Sequence, residues 1–505
     1  MQNKKLFISR NHIVFVFSII IILFVAFWGI FFPKNLGDKA SVAYNLLISR
    51  FGWVYLLSVS IFLIFCIYLI FSPYKNIKLG SNDSKPQFST FSWFAMLFSA
   101  GMAVGLIFWG VAEPLSHFVS PPHELAGAGS QEAIMLSLRY SFFHWGLHAW
   151  ANYALFALAI AYFQLRKGYP GLVSSIFIPL IGEKNARGWM GIMIDLLAIF
   201  ATVTGIATDL GLGTLQINSG LHMLYNIPEN ITVQIIIIIV ATICFMTSAI
   251  RGLEKGIKLL SNINLWLSII LVILAIIVGP KLTIIRNLVG GLFAYGSNII
   301  GDSLPIGYLS SDKEWLGNWT IFYWAWWIAW TPFVGTFIAR ISWGRTIKEF
   351  IMGVLFVPVI GSIIWFCIFG TLGMSQGENI ATSALKSIPT AYFTIIEQYP
   401  MSGLISFLTV VLLFIFFVTS ADSSTFVLGM FSSNGDPNPS TKNKAVWGIV
   451  QSLLALGLLL AGGLEVLQTA NIVAAFPFAF VMLFAMIALM KSLKEETSVA
   501  NKISK

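Results

Sequence analysis

The sequence predicts an all-α protein that crosses a membrane about twelve times. Of its 505 residues, 57% are hydrophobic and only 10% are charged, and the mean hydropathy is +0.84. Soluble domains of this size do not have such a composition, whereas integral membrane proteins do. Apolar runs long enough to cross a bilayer recur along the whole chain, so we expect one polytopic domain without a soluble module.

The expected spans are 13–32, 53–72, 90–112, 141–163, 189–210, 231–250, 257–279, 317–339, 351–373, 403–431, 444–462 and 470–490. No small-residue cleavage site follows the first span, so we expect a retained helix rather than a signal peptide. Cys66, Cys244 and Cys367 lie within spans and far apart, and we expect small buried side chains without a disulfide.

The positive charges predict the orientation of the chain. With both termini in the cytoplasm, 22 of the 30 Lys and Arg residues lie on the cytoplasmic side. Cytoplasmic loops carry the excess of positive charge in membrane proteins, so we expect both termini inside the cell. The net charge of +9 follows from this asymmetry, and no basic motif that would bind nucleic acid accompanies it.

Two spans contain residues that interrupt a helix. The third carries Gly101 and Gly105, and the eighth carries Pro332 and Gly335. Bare backbone in the middle of a bilayer is tolerated where it lines a cavity, although close packing of small residues against a neighbouring helix is the alternative. Because these spans are five apart, they suggest an inverted five-helix repeat.

This repeat sets the expected boundaries. Residues 1–88 would hold the cytoplasmic N-terminus, two peripheral helices and a linker, and 89–490 would form the core. Within the core we expect repeats at about 89–280 and 317–490. A one-sided apolar helix at about 282–303 would lie along the outer surface between them, and 491–505 would be a short cytoplasmic tail.

The eighth span is rich in tryptophan. Trp326, Trp327 and Trp330 fall within a stripe about 100° wide, with Trp324 at its edge. Aromatic anchors sit at headgroup level, whereas these rings run through the middle of the span. Rings around a desolvated cavity attract a quaternary ammonium, a cation without hydrogen-bond donors. The alternative is that they fill gaps between helices.

The fourth span adds three rings, Trp145, Trp150 and Tyr153. Set against Trp327, they could surround a trimethylammonium group, and contacts of about 2 kcal/mol each would supply about 4–6 kcal/mol. His144 and His148 have the i, i+4 spacing of metal ligands. No Glu or Cys accompanies them in the motif, so hydrogen-bonded packing is the favoured interpretation.

Together these motifs resemble the betaine/choline/carnitine transporter family over nearly the whole chain. The resemblance rests on Gly101–Gly105, on the Phe-Trp-Gly-Val-Ala-Glu-Pro motif at 108–114, on the rings of the fourth and eighth spans, and on Ala-Arg-Ile-Ser-Trp-Gly-Arg at 339–345. It implies an inverted-repeat (LeuT-like) fold, a homotrimer in the bacterial inner membrane and a small quaternary ammonium substrate.

The resemblance also assigns roles to residues. Trp145, Trp150, Tyr153 and Trp327 match the family's aromatic box, and Trp324, Trp326 and Trp330 match its translocation path, with Met102, Ala103 and Gly105 beside the substrate. In sodium-coupled relatives an ion site lies nearby. Its ligands here would be Ser99, Met102 and Phe416 through their carbonyls and Thr419 and Ser420 through their hydroxyls. The alternative is that these hydroxyls bond back to their own helix.

The chain departs from the family pattern at several positions. Ala103 replaces a glycine, and Gly105 stands where choline carriers have Asp, which favours a zwitterion such as glycine betaine. Possible coupling residues are Thr202, Asp209 and Phe333. Ile206 replaces the usual companion of Thr202, and Asp209 stands where a small hydroxyl residue is typical. Asp209 could bind a cation or a proton, or face the external vestibule.

We therefore expect a secondary carrier that imports a quaternary ammonium zwitterion by symport, with sodium as the coupling ion and no other cofactor. Cation-independent exchange, or proton-coupled carriage of carnitine- or choline-type substrates, is the alternative. No nucleophile–base or metal constellation of an enzyme is evident. Osmotically gated relatives carry long charged termini, so the short tail predicts little osmotic activation.

Overall fold

The computed structural model describes residues 10–101, 104–122, 125–251, 254–304 and 313–503. In these ranges the regular structure is helical, apart from one isolated bridge between Lys78 and Thr346. The helices are α1 (Arg10–Phe31), α2 (Pro33–Phe71), α3 (Thr90–Gly101), α4 (Val104–Val119), α5 (Gln131–Trp145), α6 (Leu147–Ala161), α7 (Ile178–Arg187), α8 (Trp189–Tyr225), α9 (Ile231–Arg251), α10 (Glu254–Val278), α11 (Lys281–Ser303), α12 (Lys313–Leu316), α13 (Phe322–Arg340), α14 (Ile347–Met374), α15 (Glu378–Ala384), α16 (Ala391–Ile396), α17 (Ser402–Phe431) and α18 (Thr441–Ile503).

The protein is a multi-pass membrane protein. Within the described ranges, nine helices are long and apolar enough to cross a bilayer. The third expected span corresponds to the two shorter helices α3 and α4, of 12 and 16 residues. The last two expected spans lie in α18, which consists of two helices joined across a break at Gly462 and Gly463, where the backbone is non-helical. The tryptophan-rich helix α13, of 19 residues, corresponds to the eighth.

Several helices extend beyond the expected spans. Helix α2 begins at Pro33, where proline's fixed φ suits the first helical turn, rather than at 53. Helix α8 continues to Tyr225, and its C-cap Asn226 adopts the left-handed conformation with φ 54°. These extensions lie outside the apolar runs because they carry polar residues, and polar residues are compatible with a helix.

The two expected interruptions have different outcomes. Helix α3 ends at Gly101 and α4 begins at Val104, and the intervening Met102 and Ala103 lie outside the described residues, so that break stays a prediction. Helix α13, in contrast, continues through Pro332 and Gly335. It is preceded by a π-helical turn at Gly317–Ile321. The weak point expected after the tryptophans was therefore wrong.

The helices around the tryptophans form the centre of the molecule. Helix α13 packs against α6, α8 and α18, and α14 packs against α4 and α6. These helices contribute apolar side chains to one core, in which most of them are almost completely buried. Helix α11, expected as a surface helix, packs on α5 and exposes Leu282, Phe293 and Ile300 on its other side.

The C-terminal segment continues α18 as a helix as far as Ile503. Glu496 accepts hydrogen bonds from the Tyr162 hydroxyl at 2.7 Å and from Lys167 Nζ at 2.8 Å, and it pairs with Arg166. Arg166 in turn donates to the Gly80 carbonyl. The expected tail therefore contacts the π-helical turn Tyr162–Arg166 after α6, and Arg166 connects that turn to the loop after α2.

The three cysteines differ in their surroundings. Cys66 and Cys367 are buried, as expected, whereas Cys244 is exposed on α9. Only 28% of the apolar window in α9 is buried within the protein, so an apolar side chain on its outer face meets lipid instead of a neighbouring helix. The prediction of a buried side chain was wrong for Cys244.

Candidate functional site

A central cavity lies where α4, α5, α6, α8, α13 and α14 meet. The empty space between its side chains is about 440 Å³, including the part open to solvent. Its lining is mostly aromatic and consists of Gly105, Leu106, Trp145, Ala149, Trp150, Tyr153, Asp209, Trp326, Trp327, Trp330 and Ser362.

Four rings form adjacent walls of this cavity. The centroids of Trp145 and Trp327 are 4.8 Å apart with an interplanar angle of 75°. Tyr153 lies 6.4 Å from Trp327 at 75°, and Trp150 lies 5.3 Å from Tyr153 at 77°. All four rings line the same cavity and contact one another edge to face, and aromatic faces in such a cavity can hold a methylated ammonium group. The four residues expected to form the box therefore come together.

The remaining tryptophans of α13 divide into two groups. Trp326 and Trp330 line the cavity, and Trp326 stacks on Trp327 at 5.2 Å and 9°. Trp324 is not part of the lining. It stacks on His148 at 5.4 Å and 13°. Trp324 precedes Trp327 by three residues and so lies about 60° round the helix from it, toward the start of α6.

Gly105 provides the space that Trp326 occupies. A Cβ at this position would lie 2.3 Å from the Trp326 ring, so only glycine allows the indole to pack directly on the backbone of α4. Its predicted neighbours beside the substrate, Met102 and Ala103, lie outside the described residues.

Glu113 lies behind the cavity lining, where it bonds directly to Trp145 and, through His144, is connected to Trp327. This fully buried carboxylate on α4 accepts hydrogen bonds from Trp145 Nε1 at 2.9 Å, from the Tyr323 hydroxyl at 2.6 Å and from His144 Nδ1 at 2.6 Å. Trp327 Nε1 donates to the His144 carbonyl at 3.0 Å. Buried hydrogen bonds of this kind fix the orientation of the rings that they reach.

Sequence reasoning treated Glu113 only as part of a motif and assigned it no role. The signal was nevertheless present, because a carboxylate within a membrane-spanning segment is costly and is usually paired or functional. Its partners come from the fourth and eighth expected spans, and no spacing rule connects residues so far apart in sequence.

His144 has the hydrogen-bonded role that was favoured over metal binding. Glu113, His117 and His144 bring possible ligand atoms within 4.8 Å of one another. However, Nδ1 of His144 bonds to Glu113, and its Nε2 lies 2.9 Å from the Thr320 hydroxyl. Since both ring nitrogens already have partners, the geometry supports packing rather than ligation.

Unpartnered polar atoms belong to the cavity lining. The indole N–H groups of Trp326 and Trp330 and both carboxylate oxygens of Asp209 are buried, and none has a hydrogen-bond partner among the described residues. Buried polar groups are normally satisfied. Two free donors and one free acceptor around the same space therefore indicate a polar solute.

The possible coupling residues do not share one site. Asp209 lines the central cavity, whereas Phe333 lines a second cavity of about 1150 Å³, including the part open to solvent, together with Arg340 and Asp422. Thr202 lines neither of these two cavities, and its hydroxyl donates to the Ala198 carbonyl at 2.8 Å. The rings of Trp330 and Phe333 are 5.6 Å apart, so this pair lies between the two cavities.

The expected sodium ligands lie partly within the described ranges. The Thr419 hydroxyl donates to the carbonyls of Ile415 at 2.9 Å and Phe416 at 3.2 Å, which is the back-bonding alternative. Such a hydroxyl oxygen keeps a lone pair, so it still fits a hard cation. Ser420 follows on the same helix, α17. Ser99 lies near the end of α3, and Met102 lies outside the described ranges, so the ligand set stays a prediction.

Comparison with known proteins supports the resemblance found in the sequence. The model of the betaine/carnitine/choline family of transporters matches residues 13–498. The chain is 48% identical over 501 residues to the glycine betaine transporter OpuD of Bacillus subtilis (strain 168), covering 98% of this chain and 97% of that protein.

Two further relatives are named for different substrates. A probable glycine betaine transporter of Desulfitobacterium hafniense (strain Y51) is 43% identical over 495 residues, covering 97% of this chain and 98% of the relative. An ectoine/hydroxyectoine transporter of Virgibacillus pantothenticus is 42% identical over 498 residues, covering 98% of each chain. With a family match over nearly its whole length, the chain belongs to the betaine/carnitine/choline family, whose members are transporters and not enzymes.

Proposed function

We propose that this protein is a secondary active transporter that imports a quaternary ammonium zwitterion by cation symport. The observation that carries the proposal is the set of near-perpendicular walls formed by Trp145, Tyr153 and Trp327 around a buried cavity. A trimethylammonium group has a permanent charge and no donor to satisfy. Desolvated ring faces stabilise it by about 2 kcal/mol each.

The free donors of the cavity support the zwitterion. Trp326 and Trp330 each contribute a buried indole N–H that has no partner in the described part of the chain. A carboxylate on the solute would accept these hydrogen bonds while its ammonium group occupies the box. Glycine betaine and its longer homologues carry both groups. The relatives that are named as glycine betaine transporters agree with this class.

The second cavity supports transport rather than binding alone. It is separated from the central cavity by the contact of Trp330 with Phe333, and movement of these two rings would join the two spaces. In alternating access, a central site is opened to one side of the membrane at a time.

The proposal is tested with purified protein in proteoliposomes. We expect a labelled quaternary ammonium solute to accumulate when an inward sodium or proton gradient is imposed, and to equilibrate only slowly without one. Glycine betaine, choline, carnitine and dimethylsulfoniopropionate are each used as the label and as competitors. Uptake of none of these compounds under either gradient would contradict the proposal.

A paired substitution tests sodium coupling. If the hydroxyls of Thr419 and Ser420 ligate sodium, T419V and S420A should each raise the half-saturating sodium concentration by about ten-fold or more, since each removes one oxygen ligand. T247V is the matched control, because the Thr247 hydroxyl makes the same intrahelical bond on the exposed face of α9. Counterflow that is equally fast without sodium would replace symport with cation-independent exchange.

A further inference from the structure

The carboxylate of Asp209 is the unusual member of the cavity lining. The residue is 1% exposed, and neither of its oxygens has a hydrogen-bond partner among the residues that the structure describes. The backbone N–H of Gly105 is a protein donor that interacts with this carboxylate, but no side chain of the described residues donates to it. Burying a carboxylate without a partner is expensive in free energy, so something that the protein binds is expected to complete this site.

Other buried carboxylates in the described ranges are satisfied by the protein itself. Glu113 accepts bonds from three side chains. Asp195 pairs with Arg10 and accepts from Ser174, and Asp422 accepts from the Ser248 hydroxyl at 2.6 Å. Asp209 differs from them in facing a cavity whose lining includes no Lys, Arg or His. Its partner must therefore arrive from the solvent.

Asp209 also lies beside the aromatic box. It is close enough to Tyr153 for the two side chains to interact electrostatically, and both line the same cavity. Tyr153 is the only other titratable side chain in that lining. A solute whose ammonium group contacts Tyr153 and Trp327 would therefore bring the atoms next to its nitrogen toward Asp209.

We propose that Asp209 accepts a hydrogen bond from a hydroxyl on the second carbon from the quaternary nitrogen of the solute. This inference rests on the proposed function, because it assumes that the box holds the ammonium group. A quaternary nitrogen has no N–H to offer, so a hydroxyl is the donor that such a solute can bring to an acceptor nearby. On the first carbon a hydroxyl would be unstable, because the carbon would expel the amine.

The proposed hydrogen bond narrows the expected substrates to quaternary ammonium solutes that carry a hydroxyl on the second carbon from the nitrogen. Choline and carnitine both contain the nitrogen–carbon–carbon–hydroxyl unit, and carnitine adds the carboxylate that the indole N–H groups of Trp326 and Trp330 can bind. Glycine betaine has no hydroxyl and would leave Asp209 unpaired. A site built around a hydrogen bond discriminates strongly against an analogue that lacks the donor, because the acceptor is then buried without a partner.

The test compares choline with its methyl ether, which has the same charge and one more methyl group but no hydrogen-bond donor, so that D209A is needed to separate the donor from the added bulk. Dissociation constants are measured by calorimetry on the full-length protein in nanodiscs. We expect the ether to bind at least about ten-fold more weakly than choline, as for a lost hydrogen bond to a charged group. In D209A the ratio should fall to about one, while D38A, at an exposed aspartate of α2, should keep the ratio of the original protein.

Binding of carnitine and glycine betaine shows which kind of hydroxylated solute the site prefers. Both should keep measurable binding that depends on Trp327, and carnitine should bind more tightly than glycine betaine in the original protein but not in D209A. Carnitine binding more tightly than choline would identify a hydroxylated zwitterion as the solute, and the reverse order would identify a hydroxylated cation.

Equal binding of choline and its ether would overturn the role of Asp209 even if D209A fails to fold. An unchanged ratio in D209A would do the same. Tighter glycine betaine binding at low pH that is lost in D209N would also overturn it, by showing that Asp209 carries a proton instead. Binding of none of the four solutes, or binding that W327L leaves unchanged, would instead count against the proposed function.

Discussion

Replacing Trp327 by leucine is expected to weaken binding of a quaternary ammonium solute about 30-fold. Trp327 contributes a wall that stands at 75° to both Trp145 and Tyr153. Loss of one desolvated cation–π contact costs about 2 kcal/mol, and each 1.4 kcal/mol corresponds to a ten-fold change in affinity. Calorimetric titration of the purified variant with glycine betaine and carnitine measures the change.

Two control variants test whether the loss of affinity in W327L comes from the missing aromatic ring. W327F keeps an aromatic face but loses the indole N–H that donates to the His144 carbonyl, so it should lie between the original protein and W327L. W266L makes the same tryptophan-to-leucine change at a residue that is 64% exposed on α10, and it should bind normally. Unaltered affinity in W327L would rule out the aromatic box as the ammonium site.

The box could be predicted because its rings obey local periodicity. The tryptophans of α13 that fall within one stripe, Trp326, Trp327 and Trp330, all line the cavity, whereas Trp324 at the edge of that stripe packs elsewhere. Each helix could therefore be judged from its own sequence. The resemblance, and not the pattern of residues, predicts that the aromatic faces of the fourth and eighth spans meet.

The charged part of the site could not be predicted in the same way. Whether a buried carboxylate is paired depends on residues from distant helices. Glu113 is surrounded by donors from the fourth and eighth spans, while Asp209 is left without one. The sequence leaves several interpretations of Asp209 open, including the external vestibule. In the structure Asp209 lines the central cavity, where its carboxylate can interact with a bound solute.

The helix boundaries could also be predicted only in part from the sequence. Apolar runs identify where a chain can cross a bilayer, but they do not detect a helix that continues into polar surroundings, as α8 does. The break at Gly462 and Gly463, in contrast, falls at the end of the expected span 444–462.

Glu113→Gln is expected to weaken solute binding by about ten-fold or more without touching the solute. The carboxylate accepts from Trp145, Tyr323 and His144 at once. An amide offers one acceptor oxygen and places its own N–H groups against donors. A buried donor left unpaired costs about 1–3 kcal/mol, so Trp145 should leave its position in the box or the whole cluster should lose stability.

A double-mutant cycle shows which of these occurs. In W145F the indole N–H is absent, so Glu113→Gln should cost less affinity in that background than in the original protein, because the two changes break the same bond. E183Q, at an exposed residue whose ion pair with Arg187 lies on the surface, should change neither affinity nor melting temperature. Additive losses in the cycle would mean that Glu113 stabilises the fold without orienting Trp145. Coupled losses, measured well below the melting temperature of each variant, would show that a carboxylate behind the aromatic wall sets the geometry with which the cavity holds its solute.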